Sequence, residues 1–113
     1  MLARANRITS GDDYKVTVRR GRRIVGDHTV MYIRTSPDVM AARFGFIVAK
    51  NVGVAVERNR VRRRLKAASS QVVKQIPPGT DVVVRALPGS AEAGWSSLQA
   101  EITNGVAKAV HGR

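Results

Sequence analysis

The sequence contains no cysteine, which excludes disulfides, thiolate metal sites and cysteine nucleophiles. Histidine is nearly as scarce. His28 and His111 stand far apart, with no carboxylate or cysteine at ligand spacing, so neither a metal site nor a histidine-based nuclease is indicated. One Trp, two Tyr and two Phe make up the aromatic complement, and the core must rest mainly on Val, Ile, Leu and Ala. No apolar run approaches the ~18 residues of a membrane span. The start, Met1-Leu2-Ala3-Arg4-Ala5-Asn6-Arg7, lacks the apolar stretch of a secretory signal. A membrane-surface role would need a basic helix with bulky apolar anchors, and the basic segment here has only Val, Leu and Ala. A soluble cytoplasmic protein is the expectation. Acid is the last shortage, with 8 Asp and Glu against 20 Lys and Arg.

The resulting formal net charge of +12 opposes folding through self-repulsion, and a polyanion is the usual partner that relieves it. Residues 1–66 carry 16 basic and 5 acidic side chains, whereas residues 67–113 carry 4 and 3. The excess is concentrated in the first part of the chain. With 113 residues, 43% apolar and 25% charged, the sequence reads as one globular domain over residues 1–113. Within it, residues 1–8 either add phosphate contacts through Arg4 and Arg7 or form a flexible, frayed start, and residues 111–113 form a tail.

Along the chain, Ser10-Gly11-Asp12-Asp13 resembles a capping box and Gly21 suits a helix stop, so 11–20 reads as a short helix whose capping accounts for both acids. Against this, Tyr14-Lys15-Val16-Thr17-Val18 alternates like a strand. Thr29-Val30-Met31-Tyr32-Ile33 and Phe44-Gly45-Phe46-Ile47-Val48 read as buried strands. The turn-prone Thr35-Ser36-Pro37-Asp38 between them suggests an antiparallel pair, and Ile24-Val25 adds a short edge. From Val54 the period becomes helical. Val61, Leu65, Ala68 and Val72 fall within about 60° of one another, and the helix must stop before Pro77-Pro78. Val82-Val83-Val84 reads as a buried strand. Ser90 is expected to cap a final helix to about Val110, with Trp95 as a core anchor beside Leu98, Ile102 and Val106. Gly105 weakens that helix without ending it. The class is α+β, a small sheet with helices packed on it.

On the same helical wheel, Arg58, Asn59, Arg60, Arg62, Arg63, Arg64 and Lys66 fill the arc away from the apolar stripe. Like charges four apart destabilise a helix, as at Arg58/Arg62 and Arg62/Lys66. RNA phosphates would remove that repulsion, and guanidinium forks suit bidentate phosphate contact. A merely solvated face would normally mix signs, and here only Glu57 compensates.

The segment Lys50-Asn51-Val52-Gly53-Val54-Ala55-Val56-Glu57-Arg58-Asn59-Arg60, with the basic run to Lys66, closely resembles the signature of the bacterial ribonuclease P protein component. That signature is Lys-x-Val-Gly-x-Ala-Val-x-Arg-Asn-Arg followed by a basic helix. Arg7-Ile8, Asp13-Tyr14 and Gly21 resemble the same family's amino-terminal pattern, so the likeness covers roughly residues 4–110. It implies the order α-β-β-β-α-β-α with a left-handed βαβ crossover, where a right-handed one would be the default. It implies a non-catalytic protein subunit of an endoribonuclease ribonucleoprotein that removes 5′ leaders from precursor tRNA. The catalytic centre would then lie in the ribonuclease P RNA, with Mg²⁺ acting with that RNA and the substrate.

Residue by residue, the resemblance assigns Arg58, Asn59, Arg60, Arg62, Arg63, Arg64 and Lys66 to the RNA subunit. It assigns Tyr14, Val18, Tyr32, Phe46 and Lys50 to a cleft for the single-stranded leader of precursor tRNA. Aromatic stacking of roughly 1–3 kcal/mol per base is sequence-tolerant, as a subunit accepting many leaders requires. Val18 departs from the family pattern, which has a second aromatic one helical turn after Tyr14. Phe44 and Phe46 flank Gly45 and share one strand face, so at least one of them reads as core. Tyr14 and Tyr32, without the resemblance, would read as half-buried core. No metal site and no protein partner is indicated. A basic ribosomal protein has the same physics and is the alternative; a protein-only nuclease lacks a paired-carboxylate or histidine constellation.

Overall fold

The structure, a computed structural model, describes residues 2–36 and 40–111. Helix α1 spans Gly11–Arg20, with the Ser10 hydroxyl accepting from the backbone N–H groups of Asp12 (3.2 Å) and Asp13 (3.4 Å). Those bonds satisfy first-turn donors, and the helical reading prevails over the alternating one for residues 14–18. Strands β1 (Arg22–Val25), β2 (Thr29–Thr35) and β3 (Arg43–Ile47) follow. Then come α2 (Ala55–Val72), β4 (Thr80–Ala86) and α3 (Trp95–His111). The order is the expected α-β-β-β-α-β-α.

The sheet order is β1-β2-β4-β3, with β1, β2 and β4 antiparallel and β3 parallel to β4. The expected pairing of β2 with β3 is therefore corrected. β4 lies between them, because its run Val82-Val83-Val84 is apolar on both faces and only a central strand buries both. The turn expected at 35–38 falls partly on residues 37–39, outside the described residues. Gly21 ends α1 in an extended conformation (φ −73°), not a left-handed one. Its role is steric, since a Cβ there would come within 2.5 Å of the Thr17 carbonyl oxygen and 2.9 Å of the Ile33 nitrogen.

One sheet face carries Met31, Phe44, Val82 and Val84 against the α2 stripe Val61, Leu65, Ala68 and Val72 and against Leu98, Ile102 and Val106 of α3; all are buried. The other face carries Val30, Tyr32 and Val83 with Ile8, and α1 packs over it through Tyr14 and Val18. The first residues are part of this architecture. Leu2 is buried in the main core, the Ile8 N–H donates to the Phe44 carbonyl at 2.9 Å, and the Asn6 amide donates to the Ala42 carbonyl at 2.7 Å. A packed segment thus replaces the frayed start, and it covers the outer edge of β3. Of the expected tail, residues 112 and 113 lie outside the described residues.

The final helix also needs a correction. It begins at Trp95, and Ser90 sits buried in turns that precede it. Gly89, at φ 97°, takes a conformation that favours glycine and turns the chain away from β4. Trp95 is half-buried against the main core.

Candidate nucleic-acid interface

Helix α2 enters through Gly53. The Glu57 carboxylate accepts from the Val54 N–H at 3.0 Å, satisfying one first-turn donor. Its cations then divide by phase. Arg60 donates to the Ala91 carbonyl (3.4 Å) and Arg64 to the Ala93 carbonyl (3.0 Å), so the turns before α3 hold both arginines. On the opposite flank, Arg62 donates to the Asn59 side-chain oxygen at 3.1 Å. Arg62 and Lys66 line a pocket of about 170 Å³ with Arg7, Tyr14 and Phe46. Asn59 and Arg63 are exposed and Arg58 half-exposed between these flanks. None of the α2 cations has an acidic partner among the described residues.

The second surface is an open groove of about 340 Å³ between α1 and the sheet, lined by Tyr14, Lys15, Val18, Arg19, Ile47 and Arg85. Tyr14 is fixed in it by two features of β3. Its hydroxyl accepts from the Phe46 N–H at 3.1 Å. Gly45 lets the ring lie close, because a Cβ there would stand 2.5 Å from ring carbons. Tyr32 is buried, with the Arg85 guanidinium 5.5 Å from its ring centroid, a cation–π distance. It supports the groove floor from below.

The structure brings Tyr14 and Val18 together in the groove and separates the other residues assigned there. Phe46 packs on the α2 side of the sheet, stacked on Phe44 with ring centroids 6.2 Å apart. It belongs with Arg62 and Lys66 because residues 44 and 46 share the face opposite Ile47. Lys50 stands exposed in a 3₁₀ turn after β3, outside the groove lining. Lys15, Arg19, Ile47 and Arg85 are the groove residues that the sequence reading missed. A cation closing an apolar strand, as Arg85 closes Val82-Val83-Val84, is the signal that could have found Arg85.

Two polar clusters brace these surfaces. Arg43 reaches Asp81 through two bonds of 2.9 and 2.8 Å and Asp13 at 3.3 Å, so one Asp13 carboxylate ties α1 to the sheet rather than only assisting its cap. Hydrogen bonds to Asp81 raise the Arg43 pKa, burial opposes this, and the charges of Asp81 and Asp13 add to the rise. The second cluster joins residues 73 positions apart. His28 Nδ1 lies 2.6 Å from the Glu101 carboxylate, which also accepts from the His28 N–H (3.0 Å) and the Thr29 hydroxyl (2.9 Å). It latches the β1–β2 turn to α3. Among the described residues no group of three or more His, Cys, Asp or Glu could hold a metal ion, and no helix is long and apolar enough to cross a membrane.

A family model described as ribonuclease P matches residues 2–110. The chain belongs to the ribonuclease P protein family. It is 51% identical over 110 residues to the ribonuclease P protein component of Clavibacter michiganensis, covering 97% of each chain. It is 43% identical over 102 residues to that of Acidothermus cellulolyticus, covering 89% of this chain and 85% of the relative. The fold matches the ribonuclease P protein of Staphylococcus aureus with a TM-score of 0.79, at 23% identity over 96% of this chain and 97% of that one. The Thermotoga maritima protein gives 0.76, at 20% identity over 88% and 94%. Ribonuclease P is an endoribonuclease ribonucleoprotein of bacterial tRNA processing, and membership makes its RNA the partner of this chain.

Proposed function

We propose that the outward arc of α2 docks this chain on the ribonuclease P RNA while the groove beside α1 holds the 5′ leader of precursor tRNA. Arg58, Asn59, Arg62, Arg63 and Lys66 make the docking contacts, with Arg60 and Arg64 shaping its flank from the carbonyls they bind. In the groove, Tyr14 offers a ring for a leader base, Val18 and Ile47 offer apolar contact, and Lys15 and Arg85 face the phosphates. Tyr32 and Lys50 act from outside the open lining, Tyr32 by supporting Arg85. Mg²⁺ acts with the RNA and the substrate, as the family resemblance implies, and this chain contributes charge and position. The cytoplasm, where precursor tRNA is made, is the expected compartment.

The observation that carries this reading is the double placement of Tyr14. Tyr14 lines both the groove and the pocket containing Arg62 and Lys66. A leader in the groove would therefore enter beside the surface that meets the catalytic RNA.

The protein mixed with ribonuclease P RNA and precursor tRNA should stimulate leader cleavage at low Mg²⁺. No stimulation would sink the reading and leave a ribosomal role as the better one. Replacing Arg58, Arg62 and Arg63 by Ala should flatten the salt dependence of RNA-subunit binding by roughly 0.7–0.9 per lost phosphate contact. Tyr14→Ala should weaken binding of leader-bearing precursor while sparing mature tRNA; equal losses would return Tyr14 to a structural role.

A further inference from the structure

Outside α2, the densest run of cations is Arg19-Arg20-Gly21-Arg22-Arg23, where α1 passes into β1. All four arginines are exposed, and none has an acidic partner among the described residues. The close approach of Gly21 to the Ile33 backbone pins this corner against β2.

The strand register divides the run between the two sheet faces. Arg23 is paired with Tyr32 and Arg22 with Ile33, and directly paired residues share a face. Tyr32 packs with Tyr14 and Val18 on the groove side, whereas Ile33 packs against the α2–α3 core. Arg22 accordingly donates to the Lys108 carbonyl of α3 at 3.3 Å. Arg23 is turned to the groove face, where Arg19 already lines the groove.

The groove also has a direction. Its lining includes Ile47 and Arg85, and the same register row continues through Val30 to Val25 of β1, three strand spacings or roughly 14 Å. The β3 end lies beside Tyr14, Arg62 and Lys66, which is the side of the RNA subunit. With the RNA subunit docked there, the scissile bond lies on that side, and a leader crossing the sheet leaves over β1.

We propose that Arg23, with Arg19 at the inner edge, holds phosphates of the 5′-distal leader as it leaves the groove over β1. This rests on the reading of the groove as the leader site. It predicts that leader length, and not only leader presence, tunes affinity.

The test uses the holoenzyme reconstituted with ribonuclease P RNA and three ligands: precursor with a long leader, precursor with a leader ending inside the groove, and mature tRNA. Arg23→Ala and Arg22→Ala remove the same charge from opposite faces. One single-strand phosphate contact corresponds to a salt slope of about 0.7, roughly fourfold in affinity at ~0.15 M salt. Arg23→Ala should bind the long-leader precursor roughly fourfold more weakly. It should match the unmodified protein on the other two ligands, Arg22→Ala should match it on all three, and Arg23→Lys should recover most of the loss. An equal loss from Arg22→Ala, or a loss independent of leader length, would overturn the proposal. If the short leader adds nothing over mature tRNA in the unmodified holoenzyme, the groove reading itself fails, and the proposal with it.

Discussion

The two faces of the sheet are held together by different physics. On one, α2 and α3 bury an apolar layer around Leu65, Leu98, Phe44 and Val84. On the other, the buried cluster is only Ile8, Val30, Tyr32 and Val83. There α1 is secured by polar contacts: the Asp13–Arg43–Asp81 network and the bond from the Phe46 N–H to Tyr14. A face braced at one end by ions leaves the other end open, and there the groove lies. The groove thus belongs to the ion-braced side of the sheet, while the outward arc of α2 presents its cations from the back of the apolar layer.

Substitutions should follow that division. Leu65→Ala removes a fully buried side chain and should cost about 2–5 kcal/mol of stability, read by urea denaturation. A similar cost from a groove residue would break the contrast. Asp81→Ala should cost about 2–3 kcal/mol, less than the ~3–5 kcal/mol of unpairing a fully buried ion, because Asp13 still faces Arg43. The Arg43 pKa is raised, so its contribution is fully present below the ordinary guanidinium range and is lost only as pH rises through the raised value. Denaturation across neutral and moderately alkaline pH should therefore show no loss from Arg43. Gly45→Ala should displace the Tyr14 ring and lower affinity for leader-bearing precursor by about 1 kcal/mol, the low end of base stacking. Binding to ribonuclease P RNA alone should not change. Val18→Phe, which places an aromatic in the groove, should tighten leader binding by at most about 1 kcal/mol; unchanged affinity would show that stacking matters little at this position.

The α2 stripe was legible in the sequence because burial on one side of a helix writes a 3.6-residue period, and all four of its residues are buried. The wheel also separated Arg62 and Lys66 from Arg60 and Arg64. It could not show that the carbonyls of Ala91 and Ala93, about 30 positions on, meet the second pair. Phe46 was misplaced for a related reason. Alternation shows that residues 44 and 46 share a face, but only the pairing with β4 shows which helix that face meets. The Glu101 partner of His28 left no local trace, since a contact across 73 residues has no periodicity. The α1 capping signal was legible because Ser10 acts on its immediate neighbours.

One consequence of the sheet order concerns how the chain is made. β4 is the last strand in sequence and yet joins β2 to β3. Until residues 80–86 leave the ribosome, β2 and β3 share no partner. The groove floor, which needs Val83 and Arg85, cannot exist before then. Because distant segments must meet before any of these contacts stabilise the fold, formation of the sheet and of the leader surface should be one event. A nascent chain ending at Pro78 should therefore display its arginines without the groove.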